Sequence, residues 1–191
     1  MRTTRARPPG LAVGVLAATV IALAGCAATA GSIGLPTPPA SARTAYVWDS
    51  VAIGGGGFVT AVIPSRSHPH VAYARTDVGG AYRWDAREGR WHALLDWLGE
   101  DQTGFLGVDA LAVDPHDAAN VWLLAGIAYL NGGRTAILRS TNYGKNFETI
   151  DVTAQFKTHG NGFGRQNGER LAVDPGSNAL LYLGSRRDGL F

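Results

Sequence analysis

The residues best suited to chemistry in this chain surround one carboxylate, that of Asp77. Arg75 lies two positions before it, Gly79 and Gly80 come just after it, and Tyr82 follows them. An aspartate at the end of a strand can act as a general base on water, while aromatic side chains nearby stack on sugar rings. Asp before paired glycines is also a common turn sequence. Residue types alone leave a catalytic and a structural interpretation open.

Four consecutive glycines, Gly54 to Gly57, form a second candidate site. They are not a phosphate-binding loop, because no Gly-Lys-Ser/Thr follows them and no helical pattern begins behind them. They suit either a tight strand connection or a flat floor where the backbone approaches a ligand. Gly55 and Gly56 are the candidates for substrate contact.

The sequence contains no pattern typical of a metal site, a cofactor site or a nucleic-acid-binding surface. The one cysteine, Cys26, cannot form a Cys-x-x-Cys zinc site, and the five histidines lack ligand spacing. Of 17 basic residues, three arginines lie in the first 25 positions, which leaves 14 against 15 acidic residues. No cofactor, metal or nucleic-acid partner is therefore expected.

The first 25 residues have the composition of an export signal. Residues 1–10 are basic and residues 11–25 are apolar without a charge, as in the n-region and h-region of a signal peptide. Fifteen helical residues reach about 22 Å, less than the ~30 Å hydrocarbon core that a permanent span crosses. Leu23-Ala24-Gly25-Cys26 resembles a bacterial lipobox, with ordinary cleavage after Ala30 or Ala42 as the alternative.

These features predict a lipoprotein-type signal peptide over residues 1–25 and lipidation at Cys26. Residues 26–45 are rich in Ala, Ser, Thr, Pro and Gly, which is typical of a flexible linker. The chain is expected to be exported and to stay outside the bacterial cell on its lipid, with no other membrane contact.

Residues 46–191 contain no stretch of helix length with a 3.6-residue apolar period. Short runs rich in aliphatic and aromatic residues alternate instead with Gly, Asn, Asp and Pro, which indicates an all-β domain. The predicted strands are Phe58–Ile63, Val71–Arg75, Ala81–Trp84, Trp91–Leu95, Ala110–Val113, Val121–Ala125, Thr135–Arg139, Phe147–Asp151, Leu171–Val173 and Leu180–Leu183.

An internal repeat selects one all-β architecture. Ala61-Val62-Ile63-Pro64 recurs as Ala112-Val113-Asp114-Pro115 and as Ala172-Val173-Asp174-Pro175, at spacings of 51 and 60 residues. A period near 50 suits the four-stranded blade of a β-propeller. Residues 46–191 are therefore predicted to form about three blades of an incomplete propeller.

A hairpin signature supports the propeller. Ser140–Phe147 (STNYGKNF) resembles the Asp-box, Ser-x-Asp-x-Gly-x-x-Trp, and Trp84–Trp91 (WDAREGRW) is a degenerate copy. In such a box the third side chain binds turn amides, the Gly takes a positive φ, and the last aromatic packs beneath the turn. The signature identifies a scaffold and assigns no chemistry.

Several of these strings together resemble glycoside hydrolase family 74, the xyloglucanases and related oligoxyloglucan-active enzymes. The matching strings are Val51–Gly57 (VAIGGGG), Tyr73–Trp84 (YARTDVGGAYRW), Leu94–Trp97 (LLDW) and Gly164–Pro175 (GRQNGERLAVDP). The resemblance implies two seven-bladed propellers facing a substrate cleft, of which this chain carries the N-terminal part. A monomer acting on a polysaccharide is expected.

The resemblance also implies an inverting endo-β-1,4-glucanase acting on xyloglucan, with Asp77 as its general base. Substrate contact is expected from the residues around that base and from the glycine run: Gly55, Gly56, Arg75, Gly79, Gly80 and Tyr82. The family's general acid lies on the second propeller, so no residue here takes that role, Glu169 included. The 191-residue chain alone is expected to be inactive.

Two other functions remain open from the sequence. A noncatalytic Asp-box propeller could serve as a binding or assembly module, although such a scaffold has no need of the Asp77 string. A sialidase propeller also carries Asp-boxes, but it would use three arginines and a nucleophilic Tyr, and no such arginine motif is recognisable.

Overall fold

Each strand of this protein is short and runs antiparallel to the strand before it in the same sheet. The computed structural model describes Trp48, residues 50–167 and residues 170–191. Within these residues the strands are β1 (Val59–Pro64), β2 (Val71–Thr76), β3 (Ala81–Asp85), β4 (Arg90–Ala93), β5 (Val108–Val113), β6 (Val121–Ala125), β7 (Ala136–Ser140), β8 (Glu148–Asp151), β9 (Arg170–Asp174) and β10 (Ser177–Gly184). Each overlaps one predicted strand, so the all-β prediction is confirmed. Two short 3-10 segments, Glu100–Leu106 and Asn131–Gly133, were not predicted.

The strands form three sheets in chain order. The first two are four-stranded meanders, β1-β2-β3-β4 and β5-β6-β7-β8, and the third pairs β9 with β10. The three copies of the repeat end β1, β5 and β9, the first strand of each sheet. A four-stranded antiparallel meander repeated in this way is a propeller blade. Within the described residues the sheets do not close into a ring, which agrees with the incomplete propeller predicted.

The middle sheet is buried on both of its faces. Leu123 on β6 packs in a core with Tyr73 of the first sheet, whereas its neighbour Leu124 packs with Leu183 of the third. Successive side chains of a strand point to opposite faces, so one apolar run can serve two interfaces. This is why Val121–Ala125 is buried throughout and shows no apolar–polar alternation.

The predicted Asp-box lies in the hairpin between β7 and β8. Ser140 Oγ accepts the Gly144 N–H at 2.9 Å, and Asn142 Oδ1 accepts the Asn146 N–H at 3.0 Å. Gly144 has a φ of +77°, and Phe147 packs against the main core. The hairpin therefore closes on local hydrogen bonds, as its sequence predicts, and Asn replaces the usual Asp in that structural role.

The degenerate copy forms the corresponding hairpin between β3 and β4. Asp85 Oδ1 accepts the backbone N–H groups of Arg87 at 2.9 Å and of Glu88 at 3.3 Å. Trp84 and Trp91 pair across these strands with ring centroids 5.6 Å apart. The two backbone hydrogen bonds hold the pKa of the Asp85 carboxyl below its ordinary value.

The depressed pKa predicts a pH-dependent contribution of Asp85 to stability. A carboxyl whose pKa falls on folding stabilises the fold above its ordinary pKa, and this stabilisation is lost as the pH falls through the folded value. The midpoint of thermal unfolding should therefore fall less in Asp85→Asn than in the parent when the pH is lowered from about 6 to about 3. Circular dichroism melts of the parent and variant at both pH values measure the difference.

The matched control is Asp101→Asn, which removes an exposed carboxylate that makes no hydrogen bond within the described residues. This variant should keep the parent's pH dependence. An Asp85→Asn protein that loses as much on acidification as the parent would contradict the role assigned to the hairpin hydrogen bonds.

Candidate active site

Three sheets bring their strand ends together at the edge where Asp77 lies. Asp77 directly follows β2, Asp109 is the second residue of β5, and Arg186 follows β10. Antiparallel order places the end of β2 and the start of β5 side by side, where the Gly80 N–H donates to the Leu106 carbonyl at 2.8 Å. Side chains from distant parts of the sequence therefore meet at this edge.

Asp77 begins a turn that closes upon Thr76. The Thr76 hydroxyl accepts the Gly79 N–H at 2.8 Å and donates to the Gly80 carbonyl at 2.9 Å. Gly80 has a φ of +83°, a conformation that favours glycine. The turn suggested by the residue types is thus present, and it fixes the backbone on both sides of the candidate base.

The Asp77 carboxylate is held by one backbone group and one cation. Its Oδ1 accepts the Phe58 N–H at 2.7 Å, and its Oδ2 lies 3.0 Å from Arg165 Nε. The Asp77 side chain is 8% exposed, whereas that of Arg165 is 37% exposed. These two partners take the place of water around a carboxylate that is nearly closed from solvent.

The glycine run lies directly against this turn. A Cβ on Gly79 would come within 1.8 Å of the Gly56 carbonyl oxygen, and one on Gly55 would come within 1.8 Å of the Tyr82 hydroxyl. Tyr82 donates that hydroxyl to the Gly79 carbonyl at 2.8 Å. Only residues without side chains allow the two segments to approach so closely. Gly55, Gly56, Gly79 and Tyr82 therefore belong to one packed group beside Asp77.

Arg75 and Tyr82, both predicted from the sequence, make hydrogen bonds in or next to this group. Arg75 is buried and its Nη1 donates to the Val108 carbonyl at 3.1 Å, which joins the first sheet to the second. Burial, reinforced by the negative charge of Asp96, raises the pKa of Tyr82. Tyr82 thus remains a neutral hydrogen-bond donor at ordinary pH.

A second buried carboxylate, Asp109, was not found from the sequence. It is fully buried, and its Oδ2 lies 3.0 Å from Arg186 Nη2 and accepts the His159 N–H at 3.2 Å. The Thr158 hydroxyl donates to the same oxygen. Asp109 stands inside an apolar strand run, Val108–Val113, that offers no sequence signal for a charged site.

A cavity of about 420 Å³ opens next to this pair of carboxylates. Arg165, the ion-pair partner of Asp77, lines it together with Arg186, the partner of Asp109. Arg165 was part of a motif quoted from the sequence, but its contact with Asp77 was not predicted. Through Arg165 the cavity is connected to the candidate base.

The opposite end of the sheets carries other polar groups. A cavity of about 640 Å³ there is lined by His68, His70 and Tyr143, among others. Ligand atoms of Asp85, Glu88 and His92 lie within 4.8 Å of one another. Glu88 Oε2 is 2.6 Å from Arg90 Nε, so the Glu88 carboxylate already forms an ion pair with this guanidinium. The expectation of no bound metal stays a prediction.

Several predicted features lie outside the described residues. These are the signal peptide, the lipidation site Cys26, the linker over residues 26–45 and Glu169. In the part of the chain that the structure describes, no helix is both long and apolar enough to cross a bilayer.

Comparison with known proteins finds enzymes. A xyloglucanase of Paenibacillus sp is 47% identical over 145 residues, which are 74% of this chain and 14% of that protein. A xyloglucanase of Acetivibrio thermocellus is 44% identical over 74% of this chain and 17% of its own length. An oligoxyloglucan-reducing end-specific xyloglucanase of Emericella nidulans is 38% identical over 79% of this chain and 19% of its length. The chain thus spans less than a fifth of these relatives.

Solved structures agree with these relatives. The GH74 enzyme of Niastella koreensis matches with a TM-score of 0.68 and 56% identity, over 73% of this chain and 20% of that one. The GH74 xyloglucanase of Xanthomonas campestris matches with a TM-score of 0.67 and 55% identity, over 76% and 20%. No protein-family model matches the chain.

The close contact between Gly79 and Gly56 predicts unequal effects of two alanines. Gly79→Ala places a methyl group 1.8 Å from the Gly56 oxygen and forces the two segments apart. We expect a loss of about 1–3 kcal/mol in the free energy of unfolding, measured by urea denaturation.

Gly56→Ala is the matched control, because nothing lies within 4 Å of a Cβ at Gly56. It should change the free energy of unfolding by no more than about 0.5 kcal/mol. Equal losses in the two variants would show that the glycine run does not pack against the Asp77 turn.

Proposed function

Because the chain belongs to glycoside hydrolase family 74, we propose that it serves as an inverting endo-β-1,4-glucanase acting on xyloglucan. The xyloglucanases named above support this substrate, at 44–47% identity over most of the described residues. The similarity to xyloglucanases leaves the sialidase alternative without support. A polysaccharide is accordingly the proposed partner, bound by a monomer.

We assign the general base to Asp77. The observation that carries this assignment is the carboxylate's setting: 8% exposed, at a strand end, with one oxygen on a backbone N–H and the other on Arg165. As base, Asp77 takes a proton from a water molecule while the water oxygen attacks the anomeric carbon. The glycosidic C–O bond breaks on the opposite side of the sugar ring, which inverts the configuration.

The surroundings of Asp77 supply orientation. The Phe58 N–H and the Arg165 guanidinium each bind one carboxylate oxygen, so the side chain cannot rotate freely. The packed glycines, Gly55, Gly56, Gly79 and Gly80, present backbone rather than side chains beside the base. We propose that substrate approaches across them.

The general acid is assigned to no described residue. An inverting pair stands about 6.5–9.5 Å apart, and the acid must reach the leaving oxygen. Asp109 lies at the same edge, but it is fully buried and bound by Thr158, His159 and Arg186, so it cannot reach substrate. We therefore expect the 191 residues alone to show no turnover.

The base assignment predicts a large and specific loss of activity. In the full-length natural protein, Asp77→Asn keeps the size and the Phe58 hydrogen bond but cannot accept the proton. The kcat/KM for xyloglucan should fall at least about 100-fold, measured by release of reducing ends. Asp101→Asn, an exposed carboxylate, should retain parent activity.

The stereochemical outcome provides a second measurement. Proton NMR during hydrolysis should show the inverted anomer as the first product. Undiminished activity of the Asp77→Asn protein would remove the base assignment. Absence of xyloglucan hydrolysis by the parent protein would instead favour the noncatalytic propeller alternative. Retained configuration would exclude the inverting mechanism.

We also propose that the protein is exported and anchored outside the cell by a lipid on Cys26. The basic and apolar halves of residues 1–25 and the small residues before Cys26 support this proposal. Mass spectrometry of the mature natural protein should find an amino-terminal residue Cys26 carrying acyl chains. A mature chain that begins directly after Ala30 or Ala42 would contradict lipidation.

A further inference from the structure

The cavity beside Asp77 has an unusual charge. Among the described residues, no acidic residue lines it and five basic residues do: Lys157, His159, Arg165, Arg186 and Arg187. Two of the nearby acids are covered, since Asp77 is 8% exposed and Asp109 is fully buried. The third, Asp188, is exposed and accepts the hydroxyl of the lining residue Ser185 at 3.3 Å. A molecule entering the cavity therefore meets the basic side chains of the lining, whereas the carboxylates of Asp77 and Asp109 are largely or fully covered.

Some of the basic groups in the cavity have donors that make no hydrogen bond or ion pair within the described residues. Arg165 pairs with Asp77 through Nε, which leaves its terminal guanidinium nitrogens without a hydrogen bond to the described residues. Lys157 and the Arg187 side chain likewise make no ion pair or hydrogen bond there. These groups are donors that suit an anion, and a guanidinium fork binds a carboxylate through two parallel hydrogen bonds.

The rest of the lining suits a sugar ring. Phe163 is fully exposed at the cavity, and the His159 ring meets Tyr129 edge-on at 5.3 Å. Asn161, also in the lining, donates to the Tyr129 hydroxyl at 2.9 Å. Apolar ring faces and amides next to cations match a ligand that is part carbohydrate and part anion.

We propose that this cavity binds a uronic acid unit, a sugar that carries a carboxylate, in the polysaccharide held beside Asp77. The proposal rests on the proposed function in taking a polysaccharide as the ligand. An extended polyanion fits less well, because the 14 basic residues beyond the leader are balanced by 15 acidic ones. The positive charge is local and matches a single carboxylate.

Matched oligosaccharides test the proposal on the full-length natural protein. One probe is a β-1,4-linked oligosaccharide with a glucuronic acid branch, and the other is its carboxyl-reduced form. Isothermal titration calorimetry at low salt should find the acidic probe bound about tenfold more tightly, a difference of about 1.4 kcal/mol. Added salt should shrink this preference, because it screens partly exposed charges.

Variants locate the preference. The double variant Lys157→Gln, Arg187→Gln removes two cations that hold no other residue, so the fold should persist and the preference should fall below about threefold. Arg87→Gln, which removes an exposed cation at the opposite end of the first sheet, should keep the tenfold preference.

Two results would overturn the proposal. One is equal affinity for the two probes, and the other is a preference that survives unchanged in the double variant. Hydrolysis of neutral xyloglucan tests the proposed function separately. A protein that prefers the acidic probe but does not hydrolyse xyloglucan would keep this site and refute the proposed activity, and the converse result would do the reverse.

Discussion

A carboxylate that is nearly closed from water has to be paired, and the candidate site is organised around that requirement. A covered carboxylate without a partner is unfavourable, so its partners matter to the fold as the carboxylate does. Asp77 takes the Phe58 N–H from the segment before β1 and the Arg165 guanidinium from the segment before β9. A single side chain thereby ties together parts of the chain that belong to different sheets.

The repeated sheets make that convergence possible. Each meander reverses direction at every strand, so the ends of β2 and β10 and the start of β5 fall at one edge. Asp109 and Arg186 meet there in a second ion pair at 3.0 Å, which links the middle sheet to the third. Charge pairing and apolar packing thus both act at the interface between the middle and third sheets.

The two ion pairs also determine what a substrate would meet. Because the carboxylates lie beneath and the guanidinium groups lie above, the exposed side of each pair is positive. The glycines beside Asp77 expose backbone without side chains, so the surface next to Asp77 is open. The adjacent cavity is lined by cations. A neutral glycan backbone over the glycines and an acidic branch toward the cavity are compatible with one another in charge.

Sequence alone determined the features that depend on neighbours along the chain. Strand positions, the three-fold recurrence of Ala-Val-x-Pro, the hairpin of Ser140–Phe147 and the turn at Asp77 all follow from short-range periodicity and turn chemistry. The sequence, through the family resemblance of its strings, singled out Gly55, Gly79 and Tyr82 for substrate contact, which stays a prediction, and it did not predict that they pack against one another. That packing, an approach too close for any Cβ, became visible only in the structure.

Tertiary structure alone decided the partners. Arg165 lies 88 residues after Asp77, and Arg186 lies 77 residues after Asp109. No local sequence pattern predicts such pairs. An arginine side chain can lie in solvent or in an ion pair, and which carboxylate it meets depends on how the sheets stack. Asp109 was hidden for the same reason: inside an apolar strand run, only the packing of Thr158, His159 and Arg186 around it explains a buried charge. The strands follow from residues that are close in the sequence, whereas the charge of the cavity follows from contacts between sheets.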